Sequence, residues 1–447
     1  MSFALGIPRS FKYIKVKDLD EALDLLSEGT KVLAGGQSLL PLLKLRVMSV
    51  DTLIDINNLD FRGVKENEKE IEIYSLTTHN EVASKVKILS KAAFTIGDLQ
   101  VRNKGTIGGS LAHADPSANY YPALLVLNAK VKVISKRGER EISIKDLYLS
   151  PYTTSLNYDE IIKSIIIPKQ NVSFAFEEYK RGGGAFPVAI VAVSISNGKY
   201  KVSFGGISEK PLLIEGEIEG EKGEKSKRDI IDKLKEIKVL SDAHADSEMR
   251  RKIAVKLFEK AFDRAMQGQI DVIEVPDTEI SWKSTPIKAL DEKVKVKIKV
   301  NGVYIEDEIE PRTLLLDFLR KHGYKEVKRG CDEGKCGACT VIVNGRAVKS
   351  CLTLAVQVVD QDVRTVKGIS DIQPIKDAFV NNYAMQCGYC THGFMMVTYD
   401  YAKHFGQKGL DDEILRHSIK NICRCTGYFN IIKAIKSAVK SFSSSTQ

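Results

Sequence analysis

Residues 331–355 read CDEGKCGACTVIVNGRAVKSCLTLA, which places Cys331, Cys336, Cys339 and Cys351 in the pattern C-x4-C-x2-C-x11-C. Gly330, Gly334 and Gly337 punctuate the first three cysteines. A loop that wraps a metal centre needs φ > 0 at some positions and must bring backbone N–H groups close to the sulfurs, and glycine permits both. Between the third and fourth cysteines, Asn344-Gly345 inside VIVNGRAV reads as a hairpin turn that carries Cys351 back beside the loop.

Upstream, KVKVKIKVNGVYIEDEIEP alternates apolar and polar residues on either side of Asn301-Gly302, and TLLLDFLRKHG follows as a short helix. The C-x4-C-x2-C opening is the plant-type ferredoxin spacing, and a hairpin followed by a helix is what a β-grasp domain around it requires. Downstream, Cys387, Cys390, Cys423 and Cys425 form a second quartet, C-x2-C-x32-C-x-C, in a stretch of helical pattern without strand-like runs. Two four-cysteine zinc sites are the alternative for all eight residues, and a C-x2-C pair alone also fits a thiol redox pair. The ferredoxin-like setting of the first quartet, and the division of eight cysteines into two complete four-ligand sets, favour two iron–sulfur clusters.

All eight cysteines lie between Cys331 and Cys425, and the preceding 330 residues contain none. With no export signal in the opening MSFALGIPRSFKYIKVKD, this segregation points to metal binding or redox chemistry rather than a disulfide framework. The composition is that of an ordinary globular protein, and no stretch of about 18 apolar residues is present, so a cytoplasmic protein without a transmembrane segment is expected. Net charge is +9, yet Lys is interleaved with Glu and Asp, as in ISEKPLLIEGEIEGEKGEKSKRD, and no basic stripe for nucleic acid emerges.

A chain of 447 residues calls for several domains. Residues 1–172 mix strand-like runs (KVLAGG, DTLIDI, KEIEIYSL, AKVKVIS) with helical stretches such as LDEALDLLSEG, an α+β pattern. Residues 173–275 pass from AIVAVSISNGKYKVSFGG, turning at Asn197-Gly198, to the helix MRRKIAVKLFEKAFDRAMQ, a second α+β unit. Residues 276–292, polar and proline-bearing, read as a linker. Residues 293–370 form the β-grasp domain and 371–447 a helical one, whose Ser-rich end SFSSSTQ is expected to fray.

Two glycine motifs stand upstream. One is Val32, Leu33, Ala34, Gly35, Gly36, Gln37, Ser38 and Leu39; the other is Thr106, Ile107, Gly108, Gly109 and Ser110. Paired glycines let backbone N–H groups approach a diphosphate without Cβ obstruction. Neither motif is G-x-G-x-x-G or a P-loop, so no Rossmann or Walker site is indicated, and each motif taken alone also fits a plain turn.

At CDEGKCGACTVIVNGRAVKSCLTLA, MQCGYCTHGFMM and NICRCTGYFNIIKAI the sequence resembles the iron–sulfur subunit of the xanthine dehydrogenase family of molybdenum hydroxylases, which includes aerobic carbon monoxide dehydrogenases and aldehyde oxidoreductases. LAGGQSLLPLLKLR and TIGGSLAHADPSAN resemble the two FAD-binding segments of the same family's flavoprotein subunit. The order, FAD first and clusters second, looks like a fusion of subunits that are often separate. The resemblance implies an α+β multidomain chain: a two-part FAD-binding domain with its C-terminal α+β subdomain, a plant-type β-grasp [2Fe-2S] domain and a helical-bundle [2Fe-2S] domain. It implies that Cys331, Cys336, Cys339 and Cys351 hold the outer cluster. Cys387, Cys390, Cys423 and Cys425 would hold the cluster nearest molybdenum, with Gln386 against the pterin. It further implies that residues 32–39 and 106–110 line FAD, with Ile96, Asn119, Ile162 and Lys180 at additional contacts; Lys180 opens the glycine-rich run KRGGGAFP.

Two positions depart from the family pattern. Asn119 stands where Asp is usual, keeping an acceptor oxygen but losing the charge, and His392 stands where Pro is common. His392 is expected to cap or pack, and His79 and His113 to be ordinary packing residues. The implied function is electron transfer. A separate molybdopterin-binding large catalytic subunit, in a dimer of heteromers, would oxidise a substrate with oxygen taken from water. Electrons would then pass through the inner and outer clusters to FAD and on to an external acceptor. A reverse-flow reductase of the hydroxybenzoyl-CoA reductase type is one alternative, but its flavoprotein carries an extra cysteine-ligated cluster, which a chain without cysteine before Cys331 does not match. A zinc-stabilised, non-enzymatic scaffold is the other.

Overall fold

The computed structural model describes residues 6–182 and 184–444. They form two compact units that do not follow chain order: the first gathers the residues through 60, 97–105 and those from 275 onward, and the second 61–96 and 106–274. The stretch 1–172, read from sequence as one flavin domain, is therefore divided between the two units.

The first unit contains a five-stranded sheet in the order Val303–Ile309, Val294–Val300, Asp362–Arg364, Thr340–Val343, Arg346–Lys349. Its alternation is the expected one, with Val296, Ile298 and Val300 buried while Lys295 and Lys297 are exposed. Both Asn-Gly dipeptides close two-residue hairpins, pairing Val300 with Val303 and Val343 with Arg346. Their φ values, 51° and 88° at Asn301-Gly302 and 48° and 80° at Asn344-Gly345, are left-handed, as turns that match the strand twist require. The helix Leu315–Lys321 buries Leu315, Leu316, Phe318 and Leu319 in the core that also holds Cys339 and Cys351. Truncating Phe318 to Ala would cost ~3–5 kcal/mol, so the cysteine loop is mounted on a stiff support.

After Gly368 the described elements are helical, as expected: Gln373–Asn381, Thr391–Phe405, Asp412–Ser418 and Phe429–Ser444, with a 3-10 turn at Gly406–Leu410. The last helix continues through Ser444, taking in the first four residues of the tail expected to fray; 445–447 lie outside the described residues.

A four-stranded sheet, ordered Ile287–Ala289, Lys12–Lys15, Thr52–Asp55, Thr30–Leu33, completes the first unit. The stretch expected as a linker thus supplies an edge strand, antiparallel to Lys12–Lys15 with Tyr13 opposite Ala289. Trp282 from the same stretch is buried and donates its Nε1 to the Asn103 carbonyl at 3.0 Å. Its apolar residues are too widely spaced among polar ones to show a period, which is why no element was legible there.

The second unit has a five-stranded sheet, ordered Val64–Glu66, Glu70–Tyr74, Ile161–Pro168, Lys130–Ser135, Gly138–Ser143, and an antiparallel four-stranded one running in sequence from Ser173–Tyr179 to Leu212–Glu217. The Asn197-Gly198 turn joins Ser196 to Lys199 as read. The helix Ser247–Met266 buries Ala254, Phe258, Ala261, Phe262 and Ala265 in one cluster with Val191, Val193, Val202 and Phe204 of that sheet. No described helix is long and apolar enough to cross a membrane.

Candidate redox-cofactor sites

The outer loop begins at Cys331, whose Sγ receives the N–H groups of Glu333 (3.4 Å), Lys335 (3.3 Å) and Cys336 (3.3 Å). Asp332, Gly334 and Gly337 take φ of 57°, 74° and 71° to fold the chain around the sulfur. Gly330 serves differently: its φ is ordinary, but a Cβ there would stand 2.6 Å from the Cys336 sulfur. Cys339 and Cys351 are buried at strand ends, and Ser350 ties them by donating its Oγ to the Cys339 carbonyl at 2.7 Å.

The thiols approach in pairs, Cys331 with Cys336 and Cys339 with Cys351. A hydrogen bond from Cys336, aided by the backbone N–H groups, holds Cys331 down to about 5 against the opposing effect of burial. Cys351 likewise lowers Cys339, and the two donating thiols are pushed up. Each pair therefore favours thiolate, the form that ligates metal.

In the second quartet Cys387 and Cys425 are exposed, Cys390 is half-buried and Cys423 buried. The pairs here are Cys387 with Cys425 and Cys390 with Cys423. Burial pushes Cys390 up to about 12, while hydrogen bonds from the Thr426 hydroxyl (3.2 Å) and the Cys425 N–H (3.4 Å) to the Cys423 sulfur outweigh its burial and lower it. A two-plus-two set of thiols suits a two-iron cluster, in which each iron takes two thiolates. Structural zinc instead needs four donors on one centre.

The two loops are bolted together within the first unit. The Ile422 N–H, next to Cys423, donates to the Cys336 carbonyl at 2.9 Å, and Asn421 Nδ2 donates to the Gly337 carbonyl at 3.2 Å. His392, at the start of the helix Thr391–Phe405, is buried with its Nε2 2.8 Å from the Thr340 carbonyl, so it packs as expected and joins the inner helix to the outer strand. Burial holds its imidazole down to about 4, which keeps it neutral. Tyr389 donates its hydroxyl to the Arg329 carbonyl.

The first glycine motif follows the strand Thr30–Leu33. Gly36 has φ 71°, and a Cβ on Gly35 would lie 2.1 Å from the Lys104 carbonyl oxygen. Gln37 donates Nε2 to the Gly35 carbonyl at 2.9 Å and reaches the Leu352 carbonyl, beside Cys351, at 3.5 Å. Its Oε1 is buried without a hydrogen-bond partner, an acceptor that a ligand donor would satisfy. This motif and the outer loop thus belong to the same unit.

The second motif lies in the second unit. Thr106 caps the helix Ile107–His113 by accepting the Gly109 N–H at 3.1 Å, and a Cβ on Gly108 would meet Ser75 at 2.5 Å. Gly108 N–H donates to the Ser75 carbonyl, and Ser75 N–H to Lys163, which adjoins the buried Ile162. Three further candidates converge separately. Lys180 donates to the Thr95 carbonyl, next to Ile96, at 2.6 Å and pairs with Glu178 at 2.8 Å. Asn119 Nδ2 lies 2.7 Å from Glu178 Oε2, 3.0 Å from Thr95 Oγ1 and 3.0 Å from the Ala92 carbonyl. Asn in place of Asp is thereby explained: an Asp would set a second carboxylate against Glu178. Of the run KRGGGAFP, Gly183 lies outside the described residues. His79 Nδ1 is 3.0 Å from the Tyr120 hydroxyl and His113 packs on the Tyr152 ring, consistent with packing roles.

Sequence reasoning missed the segment 97–105, which enters the first unit as a polar strap. Asp98 pairs with Lys349 at 2.5 Å, both about 1% exposed. Gln100 bonds Thr340 and Asn421, Arg102 the His417 carbonyl, and Asn103 Asp400. Lys44 was missed as well; its Nζ reaches the Cys351 carbonyl at 2.9 Å. Nothing in a polar run such as DLQVRNKG marks it as buried.

Comparison with known proteins bears on these sites. The domain family described as "FAD binding domain in molybdopterin dehydrogenase" matches residues 9–170, "2Fe-2S iron-sulfur cluster binding domain" matches 298–365 and "[2Fe-2S] binding domain" matches 365–436. The glyceraldehyde dehydrogenase medium chain of Sulfolobus acidocaldarius is 35% identical, covering 57% of this chain and 98% of the relative. The nicotine 6-hydroxylase small subunit of Paenarthrobacter nicotinovorans is 37% identical, covering 33% and 90%. Among solved structures, a chain of the carbon monoxide dehydrogenase from Hydrogenophaga pseudoflava superposes with a TM-score of 0.55 at 28% identity, over 59% of this chain and 99% of that one. What is a medium chain in one relative and a small subunit in another is matched here within one polypeptide.

Proposed function

The chain belongs to the molybdenum hydroxylase family as a flavin and iron–sulfur electron-transfer subunit, and from that premise we propose that it carries electrons from a separate molybdopterin-binding large subunit to an external acceptor. The complex is read as carbon monoxide dehydrogenase-like or aldehyde/xanthine oxidoreductase-like, cytoplasmic, and paired as a dimer of heteromers. FAD and the two clusters, when bound, supply the one- and two-electron chemistry.

The observation that carries this reading is the hydrogen bond from the Ile422 N–H, beside Cys423, to the Cys336 carbonyl, which holds the loops bearing the two cysteine quartets against each other. Cys331, Cys336, Cys339 and Cys351 are proposed as ligands of the outer cluster, and Cys387, Cys390, Cys423 and Cys425 as those of the inner one. Of the outer quartet, Cys339 and Cys351 are buried, while Cys331 and Cys336 are half-buried. Around the exposed Cys387 and Cys425, exposed Tyr383, Tyr389, Ile422 and Phe429 form an apolar rim, with Gln386 also exposed. Such a patch suits a protein partner, so the large subunit is proposed to dock there with Gln386 facing its pterin. Residues 32–39 are proposed as FAD contacts on the geometry of the first unit, and Thr106, Ile107, Gly108, Gly109, Ser110, Ile96, Ile162, Asn119 and Lys180 on that of the second. The limits 172/173, 275/276, 292/293 and 370/371 remain proposed module boundaries.

The test is reconstitution. The purified chain should hold about four iron and one FAD, and should oxidise no aldehyde, purine or carbon monoxide until the large subunit is added. Gln386→Ala should slow flavin reduction by the complex and leave reduction by an artificial donor unchanged. Substrate turnover by the isolated chain, with no second subunit in its mass spectrum, would overturn the proposal.

A further inference from the structure

The buried ammonium of Lys44 bonds the backbone of Cys351 and of Asp332, the neighbour of Cys331. Lys44 ends the helix Leu39–Lys44, which starts at the last residue of the first glycine motif, and only 2% of its surface is exposed. Its Nζ donates to the Cys351 carbonyl at 2.9 Å and to the Asp332 carbonyl, beside Cys331, at 2.6 Å. Cys351 belongs to one thiol pair and Cys331 to the other. Among the described residues no carboxylate pairs with Lys44, and the nearby Asp332 carboxylate is taken by Arg329 at 2.7 Å through both oxygens. Lys349, the other buried lysine of this loop, differs because Asp98 cancels its charge.

A buried ammonium without a counter-ion is strongly unfavourable unless an anion faces it. A four-thiolate two-iron cluster is such an anion, and its negative charge grows by one on reduction. A fixed cation beside it therefore favours the reduced form and raises its potential. We propose that Lys44 is a positioning and potential-setting residue for the outer cluster, delivered to it by the helix that leads away from the first flavin motif. The inference rests on assigning the first quartet to a cluster. Cys351→Ser tests that assignment separately, since it should abolish the outer signal whatever Lys44 does.

The experiment is a redox titration of the full chain followed by electron paramagnetic resonance of both clusters, for the native protein and for Lys44→Met, Lys44→Gln and Lys44→Arg. The neutral variants should lower the outer midpoint enough to reduce the constant for electron transfer from inner to outer cluster roughly tenfold, ~59 mV for one electron. The inner midpoint should stay in place and Lys44→Arg should keep the native value. Loss of the outer signal in both neutral variants, with retention in Lys44→Arg, also supports the charge role. An unmoved outer midpoint in Lys44→Met, equal shifts of both clusters, or loss of the outer signal in all three variants overturns it.

Discussion

The two cysteine quartets share a ligand type and differ in almost everything around it. The outer one is set in a β-sheet core, with Cys339 and Cys351 each 2% exposed and Lys44, Lys349 and the 97–105 strap packed about it. The inner one sits at helix ends with Cys387 and Cys425 at the surface. The contrast teaches that one ligand type can be mounted on the edge of a buried sheet or on exposed helix ends, and that its burial follows from the elements that carry it rather than from the cysteines themselves.

The largest effect expected is on metal content. Cys425→Ser should bring iron from about four to about two per chain and erase only the inner signal. Cys351→Ser should erase the outer signal and also lower the unfolding midpoint, because its sulfur is part of the first unit's core. Equal midpoints for the two variants would break the contrast.

Next comes Asp98→Asn, which strips the buried Lys349 ammonium of its counter-charge. Removing one partner of a buried pair costs ~3–5 kcal/mol, readable as a lower denaturant midpoint for bleaching of the outer cluster, with the inner cluster's ligands still intact.

A smaller effect is expected from matched glycine substitutions in the two loops. Gly337 (φ 71°) and Gly388 (φ 78°) are both left-handed, so alanine at either carries strain of roughly 1–2 kcal/mol. A Cβ on Gly337 would also stand 2.4 Å from Asn421, whereas one on Gly388 meets nothing within 4 Å. Gly337→Ala should therefore cost ~1–3 kcal/mol more, measured by chemical unfolding, and an equal cost would show the outer loop to be as loosely packed as the inner.

The smallest is a pH dependence on the outer side. Burial lowers Lys104, which donates to Thr353 two residues past Cys351, to about 7. Between that value and the ordinary lysine value the unfolded chain binds more protons than the folded one, so stability rises with pH from about 7 upward, by at most ~1.4 kcal/mol per unit. Lys104→Met should flatten this slope between pH 7 and 9; an unchanged slope would place the titrating group elsewhere.

What could be read from the sequence was local. The spacing of Cys331, Cys336 and Cys339, the Asn-Gly turns and the helical run after Gly368 are set by the φ preferences and side-chain periods of neighbouring residues, and each formed as read. The 276–292 stretch failed because Trp282 and Ile280 find their core only after the chain folds back on residues far away in sequence. Asn119 stood out as a departure from the family, yet its reason, Glu178, lies 59 positions away.

By itself the sequence determined the family and, through that resemblance, the cofactors, because the cysteine and glycine motifs that carry the resemblance are short runs of neighbouring residues. Only the tertiary structure decided which distant polar residues pack against the outer loop. Gln100 meets Thr340 across 240 positions, Arg102 meets the His417 carbonyl across 315, and Lys44 meets the Cys351 carbonyl across 307. Polar residues like these look solvated in a one-dimensional reading. Their burial is fixed by pairing with groups that a local pattern cannot name, since an unpaired polar atom in a core is too costly to leave there.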